Sequence, residues 1–441
     1  MDNATLARAS MGMSLGFHIV FAVLGVGMPL LLAIAEGIGL WRRDPTWMML
    51  ARRWSAAFGI LFAVGAVSGT ALSFELGLLW PGFMAFSGSI IGLPFSAEGF
   101  AFFIEAIFLG LYLYGWNRLR PVQHWLTGLP VAASGAASST FVVMANAWMN
   151  TPSGFTLTNG RLTAVDPLSA ALNPSTLTET THMLVSAYVV TGFVVAAVYA
   201  AGMLRGRADS FHHRGLMLGM AMAAVAIVLA GITGDNSARF TYGAQPAKFA
   251  AMEGLYATTR GAPLHIGGIP SDSQHRVLYA IEVPYGLSFL ATFDPNAEIR
   301  GLDSFPADQR PNPIVVHLSF DAMVGLGIGL GLLALVFWFL AWRKRRLPGG
   351  RLLLWCLVAA GPAAVITMEA GWFVTEFGRQ PWIVYGIIRT SAAATSAPGL
   401  GVVFGVFTAI YVALAITLSR LLLLLARRNR ERPTTVPVNK S

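Results

Sequence analysis

Nine long stretches of apolar residues, separated by short polar spacers, recur along the whole chain. Their approximate bounds are 11–40, 54–79, 91–116, 125–149, 181–204, 215–233, 313–342, 352–376 and 399–426. A helix needs about 20 mostly apolar residues to cross the hydrocarbon core of a bilayer, and each stretch provides roughly that many. The pattern predicts an all-α polytopic membrane protein whose nine transmembrane helices pack in helical bundles.

The spacers alternate between basic and non-basic, and this alternation predicts the orientation of the chain. The basic spacers contain Arg42, Arg43, Arg52 and Arg53, then Arg118 and Arg120, then Arg205, Arg207 and Arg214, then residues 343–351 and finally residues 426–433. The loops at 80–90, 150–180 and 377–398 are poor in positive charge. Because cytoplasmic loops carry the excess of Lys and Arg, we predict the N-terminus outside and the C-terminus in the cytoplasm.

This topology divides the chain into four regions. Residues 1–233 hold the first six membrane helices, 234–312 form a long outer loop, 313–426 hold the last three helices, and 427–441 form a cytoplasmic tail. The first apolar stretch is predicted to be a membrane helix and not a signal peptide, because its strongest basic cluster follows it. A loop as long as 234–312 is more often functional or disordered than a mere connector.

Composition supports the membrane assignment and excludes several other classes. The chain is 55% hydrophobic and 12% charged, and soluble proteins carry roughly twice that charged fraction. The single cysteine, Cys356, excludes an internal disulfide and a cysteine-ligated zinc or iron–sulfur site. The net charge of +9 does not predict nucleic-acid binding, because the arginines sit in the short spacers between apolar stretches.

Two histidines and one methionine inside the apolar stretches are candidate haem ligands. They are His18, His182 and Met323. Imidazole is an ordinary ligand of haem iron, and a His–Met pair is a known axial set. A lone buried histidine more often finds only a hydrogen-bond partner, and any one of 17 methionines is more often packing. The residues alone leave both interpretations open, and they do not pair His182 with Met323.

Acidic residues inside the apolar stretches form two pairs with the same spacing. Glu98 and Glu105 are seven residues apart, as are Glu369 and Glu376, so each pair lies on one helical face. Acids inside a membrane are costly and indicate proton relays or cofactor contacts, although a polar seam between packed helices is the alternative. Glu376 and Arg379 are three residues apart and can form an ion pair.

Several motifs together resemble subunit I of the cytochrome bd-type quinol oxidases. They are FHIVF around His18, PFSAEGFAFFIEAIFLGLYLYGW (94–116), MANAWMNTP (144–152), GAQPAKFAAMEG (243–254) and GWFVTEFGRQPW (371–382). The resemblance extends from about residue 5 to residue 425, and the motifs occur in the family's order and spacing. The nine-helix topology derived above agrees with that family.

The resemblance implies four iron ligands and three haems. His182 and Met323 match the ligands of a low-spin haem b. His18 and Glu376 match the ligands of two high-spin haems, one of them haem b and the other haem d or a further haem b in its place. Which of these two residues carries which high-spin haem stays open.

Further roles follow from the same resemblance. Glu98 and Glu105 match acids beside the oxygen-reducing haem and its proton path, while Trp372 and Arg379 match residues packed among the haems. In the outer loop, Lys248 and Glu253 match a pair implicated in quinol oxidation.

Two features depart from well-known members of the family. Asp321 stands two residues before the haem methionine, where those members have an arginine that can hold a haem propionate. The outer loop is also short. Both features resemble the cyanide-insensitive branch, in which haem b can replace haem d.

The resemblance implies a terminal quinol oxidase in a bacterial cytoplasmic (inner) membrane. Quinol is expected to be oxidised at the outer face and O₂ reduced to water with cytoplasmic protons, so that a gradient forms without pumping. The expected partners are a second large membrane subunit (subunit II), possible small single-helix subunits and the lipid bilayer, with no nucleic acid.

Three other classes are weighed against the oxidase. A secondary transporter would have two related halves, and no internal repeat stands out. A haem-free channel subunit would leave His18, His182 and Met323 unexplained. A membrane haem b electron-transfer anchor without oxygen chemistry is the closest alternative, but it would not need Glu376 or a third haem.

Overall fold

The apolar stretches form helices because a backbone inside lipid must satisfy its own hydrogen bonds. In this computed structural model, which describes residues 3–431, thirteen α-helices follow one another along the chain. They are α1 (Asn3–Arg42), α2 (Pro45–Leu79), α3 (Pro81–Gly115), α4 (Pro121–Asn150), α5 (Pro167–Ala171), α6 (Thr176–Leu204), α7 (Ser210–Ala244), α8 (Pro246–Met252), α9 (Gly286–Thr292), α10 (Pro313–Lys344), α11 (Arg351–Gly378), α12 (Thr390–Ala393) and α13 (Leu400–Glu431).

Within the described residues, nine of these helices are long and apolar enough to span a membrane. They are α1, α2, α3, α4, α6, α7, α10, α11 and α13. The predicted all-α fold with nine membrane helices is therefore confirmed. The orientation of the two termini stays a prediction.

Helix boundaries differ from the apolar stretches because polar residues can continue a helix beyond the hydrocarbon. α3 begins at Pro81, ten residues before the predicted start at 91, and α7 continues past residue 233 to Ala244. α4 begins at Pro121, so its first turn includes His124. Proline suits the first turn of a helix because its missing N–H has no intrahelical acceptor there.

The long helices form two neighbouring four-helix groups. In the first group α1 packs on α2 and α4, and α3 packs on α4 and, less extensively, on α2. In the second group α6 packs on α7 and α11, and α10 packs on the same two helices, so α6 and α10 lie diagonally opposite. α1 and α4 both contact α6 and join the groups, while α13 lies against α1 and α2.

Glycines allow α6 and α7 to pack closely against each other. A Cβ atom at Gly192 of α6 would lie 2.6 Å from the backbone nitrogen of Ala223, and one at Gly219 of α7 would lie 2.9 Å from that of Ala196. Such contacts require the absence of a side chain, as is common where membrane helices pack closely.

Short strands occur only in the connections on the side opposite the basic spacers. The described chain has ten of them, paired in five antiparallel two-stranded units. They are β1 (Thr156–Thr158) with β2 (Arg161–Thr163), β3 (Thr259–Arg260) with β8 (Glu298–Ile299), β4 (Leu264–Ile266) with β7 (Ile281–Val283), β5 (Ile269–Ser271) with β6 (Arg276–Leu278), and β9 (Trp382–Val384) with β10 (Ile388–Arg389).

The predicted outer loop, residues 234–312, is more ordered than a simple connector. It starts with the last turns of α7, continues through α8 and three of the strand pairs, and contains α9 and two short 3₁₀ turns, Leu302–Ser304 and Ala307–Gln309. At the other end of the chain, α13 continues to Glu431 through the start of the predicted 427–441 tail. Residues 432–441 of that tail lie outside the described residues.

The close approach of Gly192 to the backbone of α7 can be tested with two matched variants. Gly192→Ala should lower the free energy of unfolding by about 1–3 kcal/mol, because the added methyl group overlaps the backbone of α7. Gly231→Ala in α7 is the control, because nothing lies within 4 Å of the added atom and alanine favours a helix. Thermal unfolding in detergent measures both, and equal stability of the two variants would contradict the packing described here.

Candidate functional site

His18 is held in one ring orientation by a serine on the next helix. Its Nδ1 lies 2.9 Å from Ser68 Oγ, and Ser68 donates its own hydroxyl hydrogen to the Gly65 carbonyl at 3.0 Å. Since the serine hydrogen is used there, the hydroxyl accepts from His18 Nδ1–H. The other ring nitrogen, Nε2, therefore carries the free lone pair that a metal would need.

His182 has the same arrangement on a different pair of helices. Its Nδ1 lies 3.0 Å from Thr233 Oγ1, and Thr233 donates to the Leu229 carbonyl at 2.9 Å. Nδ1 of His182 is thus the protonated nitrogen, and Nε2 keeps its lone pair. Metal-binding histidines characteristically donate their second ring N–H to a neighbouring acceptor, which fixes the ring orientation and raises the basicity of the other nitrogen.

A glycine faces three of the four predicted ligands. A Cβ atom added at that glycine would come within 3.2 Å of the ligand side chain. The pairs are Gly69 with His18 Cε1 at 3.0 Å, Gly234 with His182 Cε1 at 3.2 Å, and Gly371 with Met323 Sδ at 3.0 Å. Because glycine has no side chain, each of these residues can lie directly against the backbone of the neighbouring helix.

His182 and Met323 lie on the diagonal helices of the second group, α6 and α10. Each contacts a glycine of a helix between them, Gly234 of α7 and Gly371 of α11. The structure brings the two residues into the same four-helix group, which the sequence by itself could not establish.

Glu376 and Arg379 form an ion pair at the end of α11. The distance from Arg379 Nη2 to Glu376 Oε2 is 2.7 Å, and Asn146 donates to Glu376 Oε1 at 2.7 Å. Asn150 Oδ1 lies 3.5 Å from Arg379 Nη1. Arg379 is only 1% exposed, so its charge depends on these partners.

Three buried polar atoms around these ligands lack a hydrogen-bond partner among the described residues. They are Arg379 Nε, Glu369 Oε1 and Asp321 Oδ2. An unpaired buried donor on a guanidinium is costly and suits a bound anion such as a propionate. Asp321 Oδ2 lies 3.4 Å from His317 Nε2, which is close enough for an ion pair with a protonated histidine but does not form a well-aligned hydrogen bond.

The ligand set favours haem over a bare metal ion. In the described part of the chain, no three His, Cys, Asp or Glu side chains gather where they could hold an ion. A single imidazole, thioether or carboxylate binds iron well when a macrocycle supplies the other ligands. Isolated candidate ligands and the unpaired guanidinium nitrogen of Arg379 therefore fit haem.

Glu98 and Glu105 both face α4, as their spacing predicted. Ser138 donates to Glu98 Oε1 at 3.1 Å, and a Cβ atom on Gly135 would lie 3.2 Å from Glu105 Oε1. Glu105 is 5% exposed, and no basic side chain among residues 3–431 is paired with it. The predicted haem-side residue Trp372, on α11, is partly buried and packs against the main apolar core.

The loop residues Lys248 and Glu253 are both buried, although they lie outside the membrane helices. Lys248 packs over Gly378 at the end of α11, where a Cβ atom would lie 2.8 Å from Lys248 Cγ. Burial lowers the pKa of Lys248 to about 8, against the opposing effect of the Glu179 carboxylate. Burial, together with the negative charge of Asp321, raises the pKa of Glu253 to about 8.

A small cavity of about 40 Å³ lies between this loop and the ends of α4, α6, α7 and α11. Its lining includes Lys248, Glu179, Asn150 and Gln245. Asn150 donates to Glu179 Oε1 at 3.0 Å, and Gln245 donates to the Asn150 carbonyl at 2.9 Å. The cavity is polar and large enough for water.

The structure adds functional candidates that the sequence interpretation missed. They are the acceptors Ser68 and Thr233, the amides Asn146 and Asn150, the acid Glu179, and Tyr112 and His124, which both contact the membrane acid Glu36. The four-residue spacing of Asn146 and Asn150 inside an apolar stretch was a usable signal. His124 was missed because the fourth apolar stretch was started at residue 125.

The fold and the site define a class: an integral membrane protein whose helical bundles hold isolated histidine, methionine and glutamate side chains that could bind haem. The particular family follows from comparison. Residues 6–430 match the family described as cytochrome bd terminal oxidase subunit I, and the chain belongs to that family. The resemblance found in the motifs is confirmed.

Two curated relatives and one solved structure show how far the similarity extends. The chain is 38% identical to a putative cytochrome bd menaquinol oxidase subunit I of Bacillus subtilis (strain 168), covering 97% of this chain and 98% of the relative. It is 28% identical to cytochrome bd-II ubiquinol oxidase subunit 1 of Escherichia coli (strain K12), covering 89% and 90%. The bd oxidase structure from Geobacillus thermodenitrificans superposes with a TM-score of 0.92 at 40% identity, covering 97% of this chain and 99% of that one.

Family membership establishes the general role of the chain. It is a multi-pass subunit of a bacterial respiratory oxidoreductase, a terminal quinol oxidase that contains haem. The family and the solved relative also indicate a membrane complex with subunit II.

The hydroxyl partner of His18 generates a direct prediction. Ser68→Ala should weaken haem binding about 10- to 100-fold, because the imidazole loses the acceptor that orients it. Haem content per purified complex measures the effect. Ser73→Ala is the matched control, since Ser73 lies on the same helix and bonds only the Gly69 carbonyl. Full haem content in Ser68→Ala would contradict the role of this hydrogen bond.

Proposed function

We propose that this chain is the haem-bearing subunit of a terminal oxidase that oxidises quinol at the outer face and reduces O₂ to water with cytoplasmic protons. The observation that carries the proposal is the state of the two histidines. His18 and His182 each place Nδ1 within 3.0 Å of a hydroxyl that donates to a carbonyl of its own helix, an arrangement that favours Nδ1–H and a free Nε2. Two such histidines in separate helix groups are suited to separate haems.

The ligand assignment uses four residues. His182 and Met323 would hold the low-spin haem b, and His18 and Glu376 the two high-spin haems, one haem b and the other haem d or a further haem b. When bound, the haems supply the one-electron transfers and the oxygen chemistry. Arg379, with an unpaired Nε beside Glu376, would bind a propionate.

The quinol site would use Lys248 and Glu253. Quinol must lose two protons with its two electrons, and a carboxylate beside the ring can accept one of them. Lys248 lies beside the polar cavity at the end of α11 and can hold an oxygen atom of the ring there. The short 234–312 region is consistent with the cyanide-insensitive branch of the family.

Proton delivery would use the membrane acids on α3. Glu98 and Glu105 lie on one face, toward α4, in the first helix group with His18. Protons taken from the cytoplasm through Glu105, and quinol protons released outside, would separate charge without a pump.

The chain would work in the bacterial cytoplasmic membrane with subunit II, and small single-helix subunits would join it there. Apolar side chains on the outer faces of α2, α3 and α10 are exposed in the isolated chain, as lipid or partner helices require. Examples are Phe74, Phe103 and Leu335, at 66%, 65% and 66% exposure.

A reduced-minus-oxidised spectrum of the purified complex, with haem extraction, tests the function. One low-spin haem, two high-spin haems, CO binding and quinol-dependent O₂ consumption are expected. A chlorin band would assign haem d, and its absence would assign an all-b complex. Two low-spin haems without a CO response would instead favour an electron-transfer anchor, and no haem would reject the proposal.

The shifted pKa of Glu253 predicts a pH dependence. Only the carboxylate accepts a proton, and Glu253 is mostly protonated below about pH 8. The rate of quinol oxidation should therefore rise as the pH is raised through about 8. Glu253→Gln should be at least about 100-fold slower, with that rise removed.

Glu282→Gln provides the control for this experiment, because Glu282 is an exposed acid of the same loop. It should keep the wild-type rate and pH profile. A Glu253→Gln variant that retained the rise near pH 8 would show that another group accepts the quinol proton.

A further inference from the structure

Two histidines outside the haem-ligand set bind the backbone at the end of α8. His317 Nδ1, on α10, lies 2.7 Å from the Met252 carbonyl oxygen. His265 Nδ1, on β4, lies 3.0 Å from the Glu253 carbonyl oxygen. His317 is 1% exposed, and the side chain of His265 is 9% exposed. We call His265 and His317 the histidine clamp.

The acceptors determine the direction of both hydrogen bonds. A carbonyl oxygen only accepts, so Nδ1 of each imidazole carries a hydrogen and donates it. His317 Nε2 lies 3.4 Å from Asp321 Oδ2 and 3.5 Å from the Gly267 carbonyl oxygen. His265 Nε2 lies 3.8 Å from Glu282 Oε1. Donation from Nδ1 is possible in the neutral ring and in the protonated ring, so the clamp does not depend on the charge of either histidine.

The two clamped carbonyls belong to the peptide groups on either side of the Glu253 Cα atom. α8 ends at Met252, and the last carbonyls of a helix have no N–H donor within the helix. The carbonyls before them are used by the backbone, since Glu253 N–H donates to Phe249 and Leu255 N–H donates to Ala250. The histidine clamp therefore supplies the donors for the Met252 and Glu253 carbonyls and fixes the backbone of Glu253 on both sides.

A glycine turn places this backbone directly against the clamp. Gly254 has a φ of +63°, in the left-handed region that favours glycine. A Cβ atom at Gly254 would lie 2.4 Å from Val277 Cγ2 and 3.4 Å from His317 Cε1. The chain after Glu253 is thus enclosed by β6 and the His317 ring, which leaves it little room to move.

The clamp holds one end of the short helix that carries both proposed quinol-site residues. Lys248 lies on α8 and Glu253 follows its last residue, and these side chains are 7% and 5% exposed. At the other end of the helix, Lys248 packs over Gly378 of α11. The seven-residue helix is therefore held at both ends, by α11 at Lys248 and by the clamp at Glu253.

We propose that the histidine clamp positions the Glu253 carboxylate to accept a proton from quinol. Proton transfer requires the donor and acceptor atoms to lie within about 2.6–3.2 Å, so a small movement of the Glu253 backbone takes the carboxylate out of reach. His265 and His317 bind the backbone and are positioning residues; they transfer neither protons nor electrons to quinol. The inference rests on the proposed quinol site.

Helix capping alone accounts for the clamp less well. Many donors can bond the last carbonyls of a helix, and a cap contributes to stability wherever the helix lies. Here two donors from separate elements, β4 and α10, bond the two peptide groups that flank one buried acid. A cap that only stabilised α8 would leave the pH dependence of quinol oxidation unchanged when it is removed.

The test removes each donor in turn in the complete complex. His317→Leu and His265→Leu each replace an imidazole by an apolar side chain of similar size. The rate at which quinol reduces the haems without O₂, measured above the pH rise near 8, should fall about tenfold or more. A displacement of about 1 Å in an active site can slow a reaction on the order of 100-fold. Haem content should stay at the wild-type value.

Asparagine variants separate the hydrogen bond from the volume of the ring. The side-chain amide of asparagine places an N–H donor near the position of histidine Nδ1. His317→Asn and His265→Asn should therefore keep the rate within about threefold of the wild type. If either leucine variant does not assemble, its asparagine partner and the variants of the other histidine decide the test.

The pH profile gives a second measurement. Burial raises the pKa of Glu253 to about 8, and a loosened backbone would admit water and lower that pKa. In the leucine variants the rise in rate should therefore move to lower pH. The charged or titratable groups around Glu253 are His265 from β4, Glu282 from β7, His317 and Asp321 from α10, and Asp303 from the first 3₁₀ turn, which pairs with Arg310.

His213→Leu is the matched control. His213 Nδ1 lies 2.8 Å from the Asp209 carbonyl oxygen at the start of α7, at the opposite end of that helix from the outer loop. The variant removes the same kind of bond from imidazole to backbone carbonyl. Its quinol oxidation rate and pH profile should match the wild type.

The outcomes separate this inference from the proposed function. A wild-type rate and pH profile in the leucine variants would overturn the positioning role and leave the oxidase intact. Asparagine variants as slow as the leucine variants, or equal slowing in His213→Leu, would also overturn it, because loss of the donor would not be the cause. If the wild-type complex did not oxidise quinol, the proposed function itself would fail.

Discussion

Polar groups inside this protein have no water to bond with, so each must find a partner within the chain or in a bound group. Arg379 shows the consequence most clearly. It is almost fully buried, with Glu376 on one side and Asn150 on the other, while its Nε remains unpaired. The cost of burying an unpaired donor makes this end of α11 a place where an anion belongs. The same need for a partner orients the imidazole rings of His18 and His182.

The requirement also determines the chemistry of the histidines. Serine and threonine in a membrane helix readily bond the carbonyl one turn earlier. At Ser68 and Thr233 this local bond occupies the hydroxyl hydrogen and leaves the oxygen as an acceptor for imidazole Nδ1–H. The hydroxyl-to-carbonyl bond within one helix therefore favours the Nδ1–H tautomer of a histidine on another helix. In both helix groups this leaves Nε2 available to bind a metal.

Much of the site could be predicted from the sequence, but unevenly. The face shared by Glu98 and Glu105 follows from a seven-residue spacing, and the structure has both toward α4. The family motifs around Glu376 led to the correct family. His124 could not be predicted from hydropathy because it lies at the polar start of α4, beyond the apolar stretch. Its partner Glu36 is 88 residues away in the chain, and only helix packing brings the two together.

The sequence by itself determined the nine membrane helices, their approximate ends and which ionisable residues lie within them. These properties depend on the length and apolarity of local stretches, which the bilayer imposes directly. Tertiary structure decided which side chains meet. Helical periodicity determines the face on which a residue lies but not the helix that packs against that face. Contacts between different helices determine the diagonal placement of α6 and α10, the partners of Ser68 and Thr233, and the contacts of Tyr112 and His124 with Glu36.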